Sequence, residues 1–183
     1  MPAGEASTRA STRAAAPSLP RIELLNDLPA AEFAAVLAPL FEGAPRFLGR
    51  LAAARPFSSY AELWRRALEI ARAMPEPEKL ELINAHPRLG APPGSVSAMS
   101  FREQGYDRQA DAQEAAAIEL ERLNAAYEAR FGFRFCIFVN GRERAALLPV
   151  IVAALEADRA TEIRRALGDV VAIAADRARG VGR

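Results

Sequence analysis

The sequence predicts an all-α fold, a single-domain bundle of about seven to eight helices. Three observations lead there. Ala, Leu, Arg and Glu, good or intermediate helix formers, dominate the 183 residues. β-Branched residues cluster only near 135–139 and 150–152. Apolar residues recur at helical spacing through most of the chain, between short breaks rich in Pro, Gly and Ser. The length suits one domain with a sizeable core. We expect that domain over 20–181, behind an N-terminal tail at 1–19.

Charge and composition exclude several classes of function. The 24 basic and 23 acidic residues leave a formal charge of +1, which gives no electrostatic case for nucleic acid or membrane binding. No apolar run approaches the length of a membrane span. The one cysteine, Cys136, forbids an internal disulfide and fits a reducing, cytoplasmic setting. Between Phe135 and Ile137 it reads as a small packing group. One His and one Cys make no ordinary zinc or haem site, and no glycine-rich phosphate loop is present. We therefore expect no metal and no tightly bound cofactor.

Taken in order, residues 1–19 carry a short Ser-Thr-Arg-Ala repeat without apolar weight and are expected to be disordered. Leu24–Pro29 introduces the first main helix, with Pro29 in its first turn and Phe33, Val36, Leu37 and Leu40 on its apolar face. Pro39 should kink or shorten it. Glu42-Gly43-Ala44-Pro45 is a break, followed by a helix carrying Phe47, Leu48 and Leu51. Ser59-Tyr60-Ala61-Glu62 is a capping box that launches a helix to about Met74, with Leu63, Trp64, Ala67, Leu68 and Ala71 as its buried stripe. Trp64 reads as core.

Pro75-Glu76-Pro77 ends that helix, and Glu78–Ala85 leads to the single histidine, His86. Pro87 fixes its own φ and pushes His86 toward an extended backbone, so His86 should sit where a helix ends, its side chain leaving the bundle. Ala91–Ser95 reads as a loop, and a turn or short helix starts at Ser100. The longest helix should run from about Asp107 or Asp111 to Phe131, with Ala115, Ile118, Leu123, Ala126 and Tyr127 spaced for burial. Gly132 is placed for a left-handed cap. Residues 133–139 are apolar and extended, ending in an Asn140-Gly141 turn, yet no partner strand is evident. Two helices, roughly 142–157 and 159–178, close the chain, with Asp158 as N-cap.

The stretch 84–104 carries the chemistry-bearing pattern. A lone His before Pro is often a structural residue, and Ser100-x-x-Glu103 is also a capping box. A helix start is equally a place to hold an anion. Asn84-Ala85-His86-Pro87-x-Leu89-Gly90, a loop, then Ser100-x-x-Glu103-Gln104 resembles the 2-oxo-4-hydroxy-4-carboxy-5-ureidoimidazoline (OHCU) decarboxylases of urate breakdown. The resemblance runs from roughly 22 to 178. It includes Asn124-x-x-Tyr127-Glu128-x-Arg130-Phe131-Gly132-Phe133, the segment 133–139, and Asp158, Arg159, Glu162, Asp169 and Arg177. The family's Glu-x-Ser-Pro-Trp break here ends in Pro45-Arg46, without the Trp.

The resemblance implies a small anionic imidazoline substrate that loses CO2 and gains a proton to give (S)-allantoin. His86 and Glu103 would form the catalytic pair. Pro87 would fix the angle of His86. Ser100, Phe101, Arg102 and Gln104 would bind substrate, with the backbone of Phe135, Cys136, Ile137, Phe138 and Val139 lining the pocket. Arg177 matches the family's substrate-binding arginine; a solvated residue complementing a helix C-terminus is its other reading. Family members commonly pair as homodimers, and one is expected here. Two alternatives stand beside this: a non-enzymatic all-α interaction domain, and a same-fold enzyme acting on a different ureide.

Overall fold

The structure is a computed structural model that describes residues 19–91, 96–97, 99–100 and 111–180, with side chains from 116 onward in the last stretch. The expected tail at 1–19 lies almost wholly outside these residues. Eight α-helices are described, together with one 3-10 turn. They are α1 (Ile22–Asp27), α2 (Ala30–Leu37), the 3-10 turn (Ala38–Phe41), α3 (Pro45–Ala53), α4 (Tyr60–Ala73) and α5 (Glu76–Ala85). After them come α6 (Asp111–Phe131), α7 (Arg144–Leu155) and α8 (Arg159–Gly180). Among the described residues there is no strand.

The all-α reading holds, with corrections near the N-terminus. Ile22–Asp27 forms a helix of its own, and Pro29 is the N-cap of α2 instead of a residue in its first turn. Pro39 shortens α2 as expected: the helix stops at Leu37 and the chain tightens into the 3-10 turn. That turn ends on Glu42, whose φ of 52° is left-handed. The Ser59 hydroxyl accepts from the Glu62 N–H at 3.1 Å, as a capping box requires. The return bond shifts by one residue, because the Glu62 carboxylate accepts from the Ser58 N–H at 2.7 Å.

Along α6 the buried face is set by Leu120, Leu123, Asn124, Tyr127 and Phe131. Ile118 lies two residues, about 200° of helix, from Leu120, and is 69% exposed, so its expected burial is wrong. Nor is α6 the longest helix described: α8 has 22 residues against its 21. Gly132 takes the left-handed cap at φ 77°, with its N–H on the Glu128 carbonyl. Asn140 and Gly141 both have positive φ, closing the turn through the Arg142 N–H and the Val139 carbonyl. Asp158 caps α8 through the Thr161 N–H at 2.9 Å.

α8 is the element on which the fold is assembled. It buries Ile163, Ala166, Leu167, Val170, Val171, Ile173 and Ala174, and packs against α4, α5 and the 3-10 turn. α6 pairs chiefly with α7, and α2 with α3. Trp64 is half-buried beside Phe41 and Tyr60, the structural role expected of it.

Candidate functional site

α5 stops at Ala85, and His86 follows as its C-cap with extended backbone (φ −73°, ψ 139°), as Pro87 requires. Its side chain does not leave the bundle, however. His86 is 3% exposed, held inward by its neighbours. Arg134 explains the hold: its guanidinium donates to the carbonyls of Asn84 (2.8 Å) and His86 (3.2 Å), while its backbone N–H meets the Asn84 side-chain oxygen at 2.9 Å. The following turn is fixed by the buried Asn124, whose amide donates to the Leu89 carbonyl at 2.8 Å. Orphan carbonyls of a helix end are thus closed by side chains from distant segments.

The imidazole Nδ1 lies 3.4 Å from the Leu82 carbonyl, and Nε2 is buried without a hydrogen-bond partner among the described residues. Burial pushes its pKa down from 6.5 to about 4, and the positive charge of Arg177 adds to the shift; Glu42 opposes it. His86 is therefore neutral at pH 7. A hydrogen on Nδ1, aimed at the carbonyl, leaves the Nε2 lone pair to receive a proton.

Arg177 is 4% exposed, so a solvated residue at the end of α8 is not its role. One guanidinium nitrogen donates to the carbonyls of Pro39 (3.1 Å) and Leu40 (3.2 Å). The other donates to the Glu42 carboxylate (2.8 Å) and the Ser100 hydroxyl (3.0 Å). Glu42 Oε1 also accepts from the hydroxyls of Ser97 and Ser100, both at 2.8 Å. Burial would raise the Glu42 pKa, but Arg177 and the two hydroxyls together hold it below the ordinary carboxylate value. Sequence reading missed Glu42, which looked like part of a helix break. The left-handed φ at that position turns its side chain back inside.

His86, Ser100 and Arg177 thus belong to one cluster, completed by Glu42. Phe101, Arg102, Glu103 and Gln104 lie outside the described residues. Phe135, Cys136, Ile137 and Val139 are buried, with Phe138 half-buried. Several of their backbone groups are bonded by side chains and not by a strand ladder. The Cys136 carbonyl accepts from Arg165 (2.9 Å), and those of Phe138 and Val139 accept from Arg142. The Phe138 N–H donates to the Asp169 carboxylate. Side chains from α8 and the turn replace a neighbouring strand.

Arg165 is itself bound by Glu162 (2.8 Å) and Asp169 (2.7 Å), lies over the Phe135 ring at 4.8 Å, and shares Glu162 with the Tyr127 hydroxyl. Burial, then the bond to Glu162, pushes the Tyr127 pKa up. Arg46, standing where a Trp was expected, is exposed and pairs with Glu81 at 3.2 Å. Among the described residues no group of three or more His, Cys, Asp and Glu is placed to hold a metal ion. Among the described residues no helix is long and apolar enough to cross a membrane.

The family model for OHCU decarboxylase matches residues 26–179. The chain belongs to the OHCU decarboxylase family. The uric acid degradation bifunctional protein PucL of Bacillus subtilis (strain 168) is 34% identical over 150 residues, covering 82% of this chain and 30% of that protein. The OHCU decarboxylase of Haloferax volcanii is 30% identical over 156 residues, covering 84% of this chain and 90% of that one. The chain therefore spans under a third of the bifunctional relative and most of the shorter one. The crystal structure of OHCU decarboxylase in the presence of (S)-allantoin superposes with a TM-score of 0.63 at 22% identity, covering 78% of this chain and 94% of that one. That of (S)-allantoin synthase gives 0.66 at 22% identity, over 88% and 54%. These two likenesses establish the fold of the family.

Proposed function

We propose that this chain decarboxylates 2-oxo-4-hydroxy-4-carboxy-5-ureidoimidazoline to (S)-allantoin and CO2 in urate breakdown, without a cofactor. The observation that carries the proposal is His86: a neutral, buried imidazole whose Nε2 lies within the field of the Arg177–Glu42 pair. Family membership supplies the reaction.

The chemistry sets definite demands. The carbon–carboxylate bond breaks and its electron pair passes into the ring, giving an enolate-like anion whose charge is neutralised by uptake of one proton at a ring nitrogen. The 4-hydroxyl loses its proton as that oxygen becomes a carbonyl, and the ureido-bearing carbon takes a proton from one face. A fixed positive group near the developing anion lowers its energy, and losing one such donor typically costs about 100–1,000-fold in rate. Arg177, held rigidly by two carbonyls, a carboxylate and a hydroxyl, is suited to that task.

His86 and Glu103 act as the acid–base pair, a coupled unit that takes up and returns the proton. Ser100, Phe101, Arg102 and Gln104 bind the ureido and carboxylate groups, with Pro87 fixing His86 and the backbone of 135–139 lining the pocket. A homodimer and a cytoplasmic setting, the latter suited to the lone thiol of Cys136, complete the reading.

The test follows the ultraviolet absorbance of freshly made substrate. His86→Ala should slow its enzymatic loss by about 100–10,000-fold while helical content and thermal midpoint stay close to those of the parent. Near-normal turnover in that variant would contradict the mechanism. Failure of the parent protein on this substrate, with turnover of another ureide, would reassign the site to a different substrate.

A further inference from the structure

Glu42 is an obligatory part of the cluster that the acid–base mechanism does not use. Its carboxylate joins three separated pieces of chain: the end of the 3-10 turn, the Ser97–Ser100 stretch and the last helix. All three bonds fall on one oxygen, Oε1. Ser97 further accepts from the Ser100 N–H at 3.1 Å, so the start of the Ser100 segment is registered against Glu42 from two sides. Arg177 is a buried cation, and the Glu42 carboxylate at 2.8 Å offsets its charge.

We propose that Glu42 is a positioning residue for the decarboxylation: its carboxylate aims the Arg177 guanidinium and the Ser100 hydroxyl and offsets the positive charge of Arg177 at His86. The inference rests on the function proposed above. The charged groups facing the imidazole among the described residues are Arg177 from α8 and Glu42 from the 3-10 turn. Arg134, from the segment before 135, meets His86 at its backbone carbonyl. His86 gains its protonated form more easily with Glu42 present, which favours proton uptake when substrate binds. Arg177 alone would oppose it.

The chain has one histidine, so the ring nitrogens of His86 give unambiguous NMR signals in a pH titration of the full-length protein. Glu42→Gln keeps an oxygen that can accept the same bonds and removes only the charge. Its His86 midpoint should fall below that of the parent. Arg177→Met should move the midpoint up, and adding Glu42→Gln to Arg177→Met should bring it down again, within a range where the fold is readily followed by circular dichroism. In turnover, Glu42→Gln should lower kcat about tenfold or more with KM unchanged or lower. Glu42→Ala, which also frees the guanidinium, should cost about 100-fold, as expected for a misplaced group.

An unmoved or raised midpoint in both backgrounds overturns the inference, as does an unchanged kcat in Glu42→Gln. If Glu42→Gln alone does not fold, Glu42→Asp replaces it; that variant retracts the charge by one methylene, and an unmoved midpoint again overturns the proposal. A falling midpoint in a protein that never decarboxylates the substrate supports the coupling of Glu42 to His86 and refutes the proposed reaction instead.

Discussion

Two arginines on α8, the half-buried Arg165 and the buried Arg177, sit twelve residues or about 18 Å apart and are put to different uses. Arg165 is enclosed by two carboxylates, Glu162 and Asp169, and by the Cys136 carbonyl. Two acids saturate one cation, and the result is a strut that holds the extended segment against the helix. Arg177 bonds the Glu42 carboxylate, the carbonyls of Pro39 and Leu40 and the Ser100 hydroxyl. At His86 its positive charge outweighs that of Glu42. The lesson is that what each guanidinium acts on separates the two: Arg165 ties the backbone of the extended segment to its helix, and Arg177 acts on the imidazole.

The largest expected effects come from breaking each cluster. Arg165→Met strands Glu162 and Asp169 and should cost about 3–5 kcal/mol of stability, the usual consequence of leaving a buried charge unpaired. Arg177→Met leaves Glu42 its two hydroxyl donors and should cost less in denaturant unfolding while abolishing more activity. Equal losses of stability and activity in the two variants would erase the distinction. A guanidinium-to-ammonium change is not a rescue at either site, because both arginines bond in several directions at once.

Next in size is a pH effect confined to the Arg177 side. The folded pKa of His86, about 4, lies below the ordinary 6.5. The unfolded chain therefore binds the proton first as pH falls, and the contribution is fully present above pH 6.5. It is lost between 6.5 and about 4. Linkage sets its size at roughly 3 kcal/mol. Denaturant titrations across that range should show the loss in the parent protein and a markedly shallower one in His86→Phe. Parallel slopes in the two proteins would show that His86 is not held neutral by the fold.

Smallest is Tyr127→Phe, which removes one hydrogen bond from Glu162 and leaves its two-point contact with Arg165. Unfolding should register about 1.5–3 kcal/mol, the range for a bond to a charged partner, with turnover little changed. A large drop in turnover would mean that the Arg165 cluster is more than a strut.

The same pair of clusters shows what was legible in the sequence. Glu162, Arg165 and Asp169 stand at i−3 and i+4 spacing on one helix, so their contact is written in local order. Caps were equally readable: Ser59, Asp158, Gly132 and the Asn140-Gly141 turn all act locally. His86 at a helix end followed from Pro87. Glu42 was not readable, because its partners lie 55, 58 and 135 residues away and its left-handed backbone has no glycine to announce it. The inward turn of His86 was missed for the same reason: Arg134, which holds it, is 48 residues on. Ile118 was misassigned because its spacing was counted in phase with Ala115, whereas the helical phase set by Leu120, Leu123 and Tyr127 places it outward.

The account turns on a neutral imidazole, seated beside the Arg177–Glu42 pair, delivering a proton to one face of a decarboxylated ring. Circular dichroism of the allantoin formed from fresh substrate measures this most directly. The parent protein should give a single-handed (S) signal that His86→Ala loses, leaving the racemic product of the spontaneous reaction. Racemic allantoin from the parent protein, or undiminished (S) product from the variant, would contradict it.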